Sequence, residues 1–408
     1  MNTSENRPRR LGRTRASVVV PVVLMALSAT GITLGMRQAL PPEPTAAQCA
    51  ITDRDLLDST DDGVLLGVNL DWEAKSLAEH GKSLSHDPAV VVQFTDIPYD
   101  DETWQHTVEA AAQVRATGGA LLLTLEPHGG LTTLSEPVVD KLVADLAFLN
   151  ASGVPVIVRL AHEMNGSWYA WGQQPTAYRE VFRRVAEAVY DGAPGSSMMW
   201  APNYGGGYPF VGGQFAAVPG SVDHHLLDTD GDGTITMHDD PYAPYYPGDD
   251  VVDWAGVSLY HWGNQRPWGD NDPLIERTKF TDMLTGTYQG TAGDDSALPD
   301  FYAVYGEQHG KPIGIPETAA IYTPSRGGAD ELTVKQAWWN QVFDDSVHEQ
   351  YPQIRMINWF EWRKFEIEIN DTVDWRAAGS DETRDAFLAD LPDWLLYSSA
   401  LGTCRAGR

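Results

Sequence analysis

Residues 155–166 read Pro-Val-Ile-Val-Arg-Leu-Ala-His-Glu-Met-Asn-Gly. The first half, Pro155–Leu160, is a short run of β-branched and aliphatic side chains, as in a strand buried on both faces of a parallel sheet. The second half turns polar at once, with His162, Glu163 and Asn165 within four residues. A buried strand that delivers such groups at its carboxyl end is what a parallel barrel presents at its mouth. Seven further runs share the pattern: Gly63–Leu70, Ala89–Phe94, Ala120–Leu125, Ser197–Ala201, Trp254–Tyr260, Pro312–Ile315 and Ile354–Phe360. Helix-like stretches fall between several of them, at Thr103–Arg115, Val138–Leu149, Ala177–Tyr190 and Thr333–Val347. Eight strands with intervening helices predict an α/β fold, a (β/α)8 TIM barrel over residues 62–404. A doubly wound open sheet is the alternative, but no glycine-rich phosphate turn follows the first run to favour it.

The barrel makes a demand on the residues just after each run, because catalytic groups collect at the carboxyl ends of the strands. Those residues include Asp71-Trp72, Glu126-Pro127-His128, His162-Glu163, Asn203-Tyr204, His261-Trp262, Glu317-Thr318 and Glu361-Trp362. Carboxyls, amides, histidines and tryptophans at one rim outline a sugar-binding, acid–base cleft. Glycosidic hydrolysis needs one carboxyl to protonate the leaving oxygen and a second to attack or to activate water. Glu163 after the fourth run and Glu317 after the seventh face each other across such a mouth. Three strand-end histidines, His128, His162 and His261, also admit a metal-dependent hydrolase, although no second histidine is spaced from His162-Glu163 along one helix as zinc hydrolases require.

The segment His162-Glu163-Met164-Asn165-Gly166-Ser167-Trp168-Tyr169-Ala170-Trp171-Gly172 resembles the acid/base segment of family 26 glycoside hydrolases, the β-mannanase family. Arg159 is kept, with Leu160 where that family commonly has proline. Trp200-Ala201-Pro202-Asn203 is similar to its Trp-x-Pro-Asn after strand five, and Thr124-Leu125-Glu126-Pro127 to a Glu-Pro segment after strand three. The resemblance, over residues 63–366, implies a retaining endo-β-glycosidase with Glu163 as acid/base and Glu317 as nucleophile. It implies β-1,4-mannan as the substrate, with mixed-linkage β-1,3-1,4-glucan and β-1,3-xylan as alternatives; a non-catalytic glycan-binding barrel is the rival of another class. Tyr260 matches the family tyrosine that touches the nucleophile, within a segment that has Ser258 where an acid is common. His162 and Asn203 are expected to bond the sugar or orient a carboxyl. Trp168, Trp171, Trp262 and Trp359 are candidate stacking platforms, and Glu126 is expected either to bind sugar or to pair with Arg159.

Residues 228–239 read Asp-Thr-Asp-Gly-Asp-Gly-Thr-Ile-Thr-Met-His-Asp. Against a 12-residue calcium loop, Asp228, Asp230 and Asp232 take positions 1, 3 and 5. Gly233 takes the sharp turn, Thr234 offers its carbonyl at position 7, and Asp239 replaces the usual glutamate at position 12. The expectation is one structural calcium (Ca2+) site in an acidic insert between strands five and six, with Tyr242, Tyr245 and Tyr246 near the substrate. No cofactor is expected for catalysis.

The chain has 28 Lys+Arg against 57 Asp+Glu, a formal net charge of −29. That argues against nucleic acid or an anionic membrane surface as partner and leaves a polysaccharide and a monomer as the expectation. Six arginines and one acid, Glu5, lie in residues 1–37, around the uncharged run Ala16–Met36. A basic region before such a run reads as a signal peptide or an uncleaved signal anchor, with the remainder secreted or tethered outside the membrane. Residues 38–61 read as a linker. Cys49 and Cys404 are the two cysteines, and in an exported protein they are expected to form a disulfide joining the ends of the domain.

Overall fold

The computed structural model describes residues 49–57, 63–266 and 268–403. The eight apolar runs form β1 (Val64–Leu70), β2 (Val90–Asp96), β3 (Ala120–Glu126), β4 (Val156–Leu160), β5 (Ser196–Trp200), β6 (Trp254–Gly256), β7 (Ile313–Thr318) and β8 (Ile354–Glu361). Each pairs with the next, and β8 pairs in parallel with β1, so the sheet closes on itself. The fold is a (β/α)8 barrel. In its register Asp96 stands opposite Glu126 and Thr124 opposite Arg159, which fixes the rim on which the polar groups meet. The sixth run pairs for a shorter distance than its composition suggests. Beyond Gly256 the ladder gives way to isolated bridges, Ser258 with Asn203 and His261 with Ala320, and to single backbone hydrogen bonds from Val257 and Leu259 to β7.

Helices α1 (Leu77–Leu84), α2 (Asp101–Thr117), α3 (Glu136–Ala151), α4 (Pro175–Gly192), α5 (Lys279–Leu284), α6 (Glu331–Val342) and α7 (Asp381–Asp390) lie along the chain between and after the strands. Their ends follow local chemistry. Asp100 caps α2 by accepting from Thr103 N, and Gly118, at φ 79°, closes it in the left-handed conformation that glycine enters without a Cβ penalty. The expected helix Thr333–Val347 is two. It stops at Val342 and restarts at Asp345, because Asp344 turns its side chain to the Ser346 amide as a new cap.

Two cores result. Between sheet and helices lie residues such as Val91, Leu123, Leu146, Phe182 and Trp338. Inside the barrel lie Leu65, Val90, Val92, Leu122, Ile157, Met199 and Met356. Leu56 joins the second group, Ile51 N donates to the Asn150 carbonyl, and Arg54 bonds Asp253. Residues 49–57 are therefore part of the barrel's packing rather than the linker expected there. The leader, the rest of that linker and Cys404 lie outside the described residues, and with Cys404 the expected Cys49–Cys404 bridge. Among the described residues no helix is long and apolar enough to cross a membrane. Toward the carboxyl ends of the strands the apolar interior gives way to Asn69, Thr124, Arg159, Ser258 and Asn358, all buried. That polar layer is the floor of the site.

Candidate active site

Arg159 occupies an inward position of β4, two residues beyond Ile157, and its side chain is wholly buried. A guanidinium there must be paired and hydrogen-bonded or it cannot stay charged. One terminal nitrogen donates to Glu317 Oε1 at 2.5 Å and the other to Ser258 Oγ at 3.0 Å. The second oxygen of Glu317 accepts from the Tyr260 hydroxyl at 2.7 Å. The Glu317 carboxylate is thus held from two sides. Its backbone is held as well: Asn69 Nδ2 donates to the Pro316 carbonyl at 2.9 Å, and Leu259 N to the Glu317 carbonyl at 3.1 Å.

Glu163 is presented differently. Past β4 the backbone enters the left-handed region at Ala161 (φ 48°) and again at Glu163 (φ 54°), a conformation that costs a non-glycine residue about 1–2 kcal/mol. Hydrogen bonds secure it, from Ala161 N to the Leu125 carbonyl and from Glu163 N to the Ala201 carbonyl, at 2.9 and 2.8 Å. The Met-Asn-Gly that follows has structural reasons. Met164 is fully buried. Asn165 bonds both the carbonyl and the amide of Asn203, at 2.8 and 2.9 Å. A Cβ on Gly166 would lie 2.4 Å from the Trp168 ring. The Glu163 carboxyl is pushed up to about 7, by burial first and then by the charge of Glu317, against the opposing pull of Arg159, Ser258 and Lys364. One carboxylate is clamped by a guanidinium and a phenol, and the other is desolvated beside it. Environments that diverge in this way suit a pair of carboxyls to two different roles.

The other candidates divide. Trp168 remains 38% exposed, edge-on to Phe210 at 5.0 Å. Trp262 is half-buried next to Tyr260 and edge-on to Trp375 at 4.9 Å. Both keep ring surface at the rim. Trp171 and Trp359 do not. Trp171 is buried, donates to the His162 carbonyl and stacks on Tyr169 at 4.3 Å, so it props Tyr169 instead of a sugar. Trp359 alternates with the inward Asn358 and packs outward on Trp339, Phe343 and Phe387. His162 is buried among Phe94, Tyr169 and Trp171, and burial holds its imidazole neutral. Asn203 meets the acid/base loop through its backbone.

Glu126 does not take the Arg159 guanidinium, which is committed to Glu317 and Ser258. Burial, then Asp96 and Glu317, push its carboxyl up to about 7. His128 Nε2 stands 3.4 Å from Asp96 and 3.8 Å from Glu126. His261 is stacked on Trp338 and bonded to the buried Lys279 at 3.2 Å. His128 and His162 both pack on Trp171 while His261 stacks on Trp338; His128 gathers instead with Asp96 and Glu126, whose ligand atoms and its own lie within 4.8 Å of one another. Trp375 meets Tyr260 and Trp262 without having been singled out in the sequence, whereas Arg159, Tyr169 and Ser258 stand in the resembling segments but were given no part in holding Glu163 or Glu317. Arg159 had a signal, a lone charge at an inward position of an otherwise apolar strand.

In the acidic insert the carboxylate oxygens of Asp228, Asp230 and Asp232 lie within 4.8 Å of one another. The loop winds around them through Gly233 N to Asp228 Oδ2, Asp232 N to Asp230 Oδ1 and Thr234 N to Asp232 Oδ1, at 2.9, 3.0 and 2.8 Å. Asp239 is not with them. It is buried and its oxygens accept from the amides of Thr229, Asp230 and Thr236, so it ties the loop ends together instead of filling position 12. Asp228 Oδ1 is buried without a hydrogen-bond partner. Three gathered carboxylates with one unsatisfied oxygen fit a hard cation. Tyr242 and Tyr245 are buried, Tyr242 accepting from Gly205 N, and Tyr246 bonds Asp249; these tyrosines support the insert.

A family profile, "Glycosyl hydrolase family 26", matches residues 123–205, from within β3 to just past β5. Endoglucanase H of Acetivibrio thermocellus is 23% identical over 286 residues, 68% of this chain and 25% of that protein. A "Beta-1,3-xylanase" of an Alcaligenes species is 23% identical over 280 residues, 60% of this chain and 52% of that one. The chain thus spans about a quarter and about half of these two relatives. Among solved structures, the "Catalytic domain of Bacillus sp. JAMB-750 GH26 Endo-beta-1,4-mannanase" has a TM-score of 0.52 at 18% identity, covering 86% of this chain and 92% of that one.

Proposed function

We propose, from the premise that this is a family 26 glycoside hydrolase, that it is a retaining endo-β-glycosidase acting on a β-linked polysaccharide, β-1,4-mannan first. The observation that carries the reading is the unequal pair at the ends of β4 and β7: Glu317 clamped by Arg159 and Tyr260, Glu163 desolvated against it. Glu317 attacks the anomeric carbon while Glu163 gives its proton to the departing glycosidic oxygen. The resulting glycosyl-enzyme is then hydrolysed by a water that Glu163, now ionised, deprotonates. Arg159 and Tyr260 hold the attacking carboxylate from two sides and aim it. Mixed-linkage glucan and β-1,3-xylan remain readings beside mannan; the name of one relative, an endoglucanase, supports a glucan in general, and that of the other supports β-1,3-xylan. Residues 48–408 assayed on soluble mannan, mixed-linkage glucan and β-1,3-xylan decide among them. Tight binding to one polymer with cleavage of none would replace the enzyme by a glycan-binding barrel.

The pH dependence follows from the geometry. The first step needs Glu163 protonated, and its carboxyl lies near 7. kcat/KM is therefore expected to fall as pH rises through about 7 and, because the nucleophile must be ionised, to fall again toward acid, giving a bell. Glu126 also lies near 7, so Glu126→Gln serves as the control. The basic limb stays in place in that variant if Glu163 owns it. A flat profile between pH 4 and 9 would sink the assignment.

We also propose that the 228–232 loop holds one calcium ion, with Asp228, Asp230 and Asp232 as ligands and the Thr234 carbonyl completing the turn. The ion would neutralise three gathered carboxylates and stiffen the insert between β5 and β6. Calorimetric titration of chelator-treated protein is expected to show a single site that Asp230→Ala removes. No uptake by the wild type would end the proposal.

A further inference from the structure

Glu366 is a buried carboxyl that the proposed reaction does not use. After β8 the chain forms a hairpin, Arg363–Glu366 paired antiparallel with Asp371–Asp374, and Trp375 follows its second strand. Lys364 and Glu366 stand two residues apart on the first strand and so share a face. Lys364 is exposed, whereas Glu366 is only 6% exposed. A carboxyl so placed has to be hydrogen-bonded or paired. Its Oε1 accepts from Trp375 Nε1 at 2.6 Å and stands 3.4 Å from Lys364 Nζ.

The residue it grips is pinned along its backbone as well. Trp375 N donates to the Trp362 carbonyl at 2.9 Å, and Trp359 Nε1 donates to the Trp375 carbonyl at 3.1 Å. The Trp375 ring meets Tyr260 at 5.3 Å and 63°, and Trp262 at 4.9 Å and 77°, the edge-to-face arrangement that aromatic rings favour. Tyr260 in turn gives its hydroxyl to Glu317 Oε2 at 2.7 Å. The second side-chain torsion of a tyrosine is soft, so the aim of that hydroxyl depends on the rings packed about it, which are Trp375, Trp262 and Phe360.

We propose that Glu366 is a positioning residue for the nucleophile: it fixes the Trp375 indole, and the indole holds the Tyr260 ring where its hydroxyl meets Glu317. The line Glu366–Trp375–Tyr260–Glu317 consists of a hydrogen bond, a ring contact and a second hydrogen bond. The first of these is made to a charged acceptor, which strengthens it, and the Lys364 ammonium balances the buried charge without entering the line. The inference rests on Glu317 being the nucleophile.

The consequence falls on rate and not on binding. A buried side chain that acts through Trp375 and Tyr260 changes the aim of the attacking carboxylate and leaves the sugar contacts at the rim in place. Glu366→Leu, which removes the acceptor, is therefore expected to lower kcat by about 10- to 100-fold, the range that a misplacement of up to about 1 Å at the reacting atoms produces, with KM unchanged. Glu366→Gln keeps an oxygen for the indole N–H and should restore kcat close to the wild-type value. In a Tyr260→Phe background the hydroxyl to be aimed is gone, so Glu366→Leu should add no further loss. A carboxyl that only fastened the hairpin would instead lower the melting temperature and multiply its effect with that of Tyr260→Phe.

The test reads the phenol as well as the rate. In protein whose tyrosines carry 13C at Cζ, the Tyr260 resonance is identified by its disappearance in Tyr260→Phe. It is expected to move toward the position of an unbonded phenol in Glu366→Leu and to stay in place in Glu366→Gln, with the kinetic cycle measured on the same proteins. An unmoved resonance in Glu366→Leu, or losses that multiply in the double variant, overturns the proposal. Should Glu366→Leu not fold, Glu366→Met, unbranched and of similar reach but without the carboxylate acceptor, must show the moved resonance, and its absence is equally fatal. A moved resonance in a protein that cleaves none of the three polymers would remove the proposed function and leave the link from Glu366 to Glu317 standing.

Discussion

Glu317→Ala is expected to lower kcat/KM on whichever β-glycan the wild type cleaves by on the order of 10⁴-fold or more, since loss of a covalent nucleophile leaves only binding and residual electrostatics. Glu163→Ala should be nearly as damaging on polysaccharide, where the leaving sugar oxygen needs a proton. It should be far milder in the first step on a dinitrophenyl glycoside, whose leaving group departs unprotonated; there the glycosyl-enzyme accumulates and a burst is seen. Azide separates the two residues further. In Glu163→Ala it can enter the second step and give a product of retained configuration. In Glu317→Ala it can only replace the missing nucleophile and gives the inverted one. Equal losses on both substrate types, or a Glu317→Ala variant that still turns over, would show that the roles are misassigned. The buried guanidinium left behind in Glu317→Ala makes a thermal melt a necessary control, because Arg159 then faces only Ser258.

Much of this arrangement is legible in residues 155–166 and their counterparts. The alternation in Val-Ile-Val-Arg-Leu puts Arg159 on the same face as Ile157, and that face turned out to be the barrel interior. The eight strands were readable because a strand buried on both faces must be continuously apolar, and nothing in the loops imitates that. What did not read was the direction of individual side chains where two burial options compete. Trp171 and Trp359 are as aromatic as Trp168 and Trp262, yet the first lies beneath Tyr169 and the second against α6 and α7. Strand parity separates Trp359 from Asn358 and Phe360, but only once the register is known. Asp239 failed for a different reason. Its spacing suits a ligand, whereas three amides converge on its oxygens first, and a local count of ligand positions does not see where those amides point. Ser258 illustrates the converse: a departure from a family pattern is visible in sequence, but its partner Arg159 is 99 residues away.

Arg159→Met is expected to destabilise the protein by about 3–5 kcal/mol at pH 8, the usual cost of removing one member of a buried ion pair. The side chains involved are wholly buried on the arginine side and about 10% exposed on the glutamate side, so solvent has little access to compensate. The cost has a sign in pH. With the guanidinium gone, the Glu317 carboxylate faces Glu163 with only Tyr260 as donor, and two like charges in one desolvated site raise the proton affinity of the pair. A carboxyl whose folded affinity for protons exceeds its unfolded one contributes stability below the unfolded value, near 4.3, and loses it as pH rises through the folded value. The penalty of Arg159→Met should therefore be smallest near pH 4.5 and grow toward pH 8. Glu317→Gln alone orphans the guanidinium and should cost a similar amount with little of this pH dependence. The double variant Arg159→Met/Glu317→Gln leaves no uncompensated charge and should recover most of the loss, because replacing both partners of a buried pair is often close to neutral. Urea unfolding of the four proteins at pH 4.5 and pH 8 measures the cycle. Additive single costs, or an Arg159→Met penalty below about 1 kcal/mol at pH 8, would mean that the pair is solvated and that Arg159 does not hold the nucleophile. Recovery of stability without recovery of hydrolysis in the double variant is the outcome the geometry demands, since the ion pair spends stability to hold one carboxylate in place at a buried site.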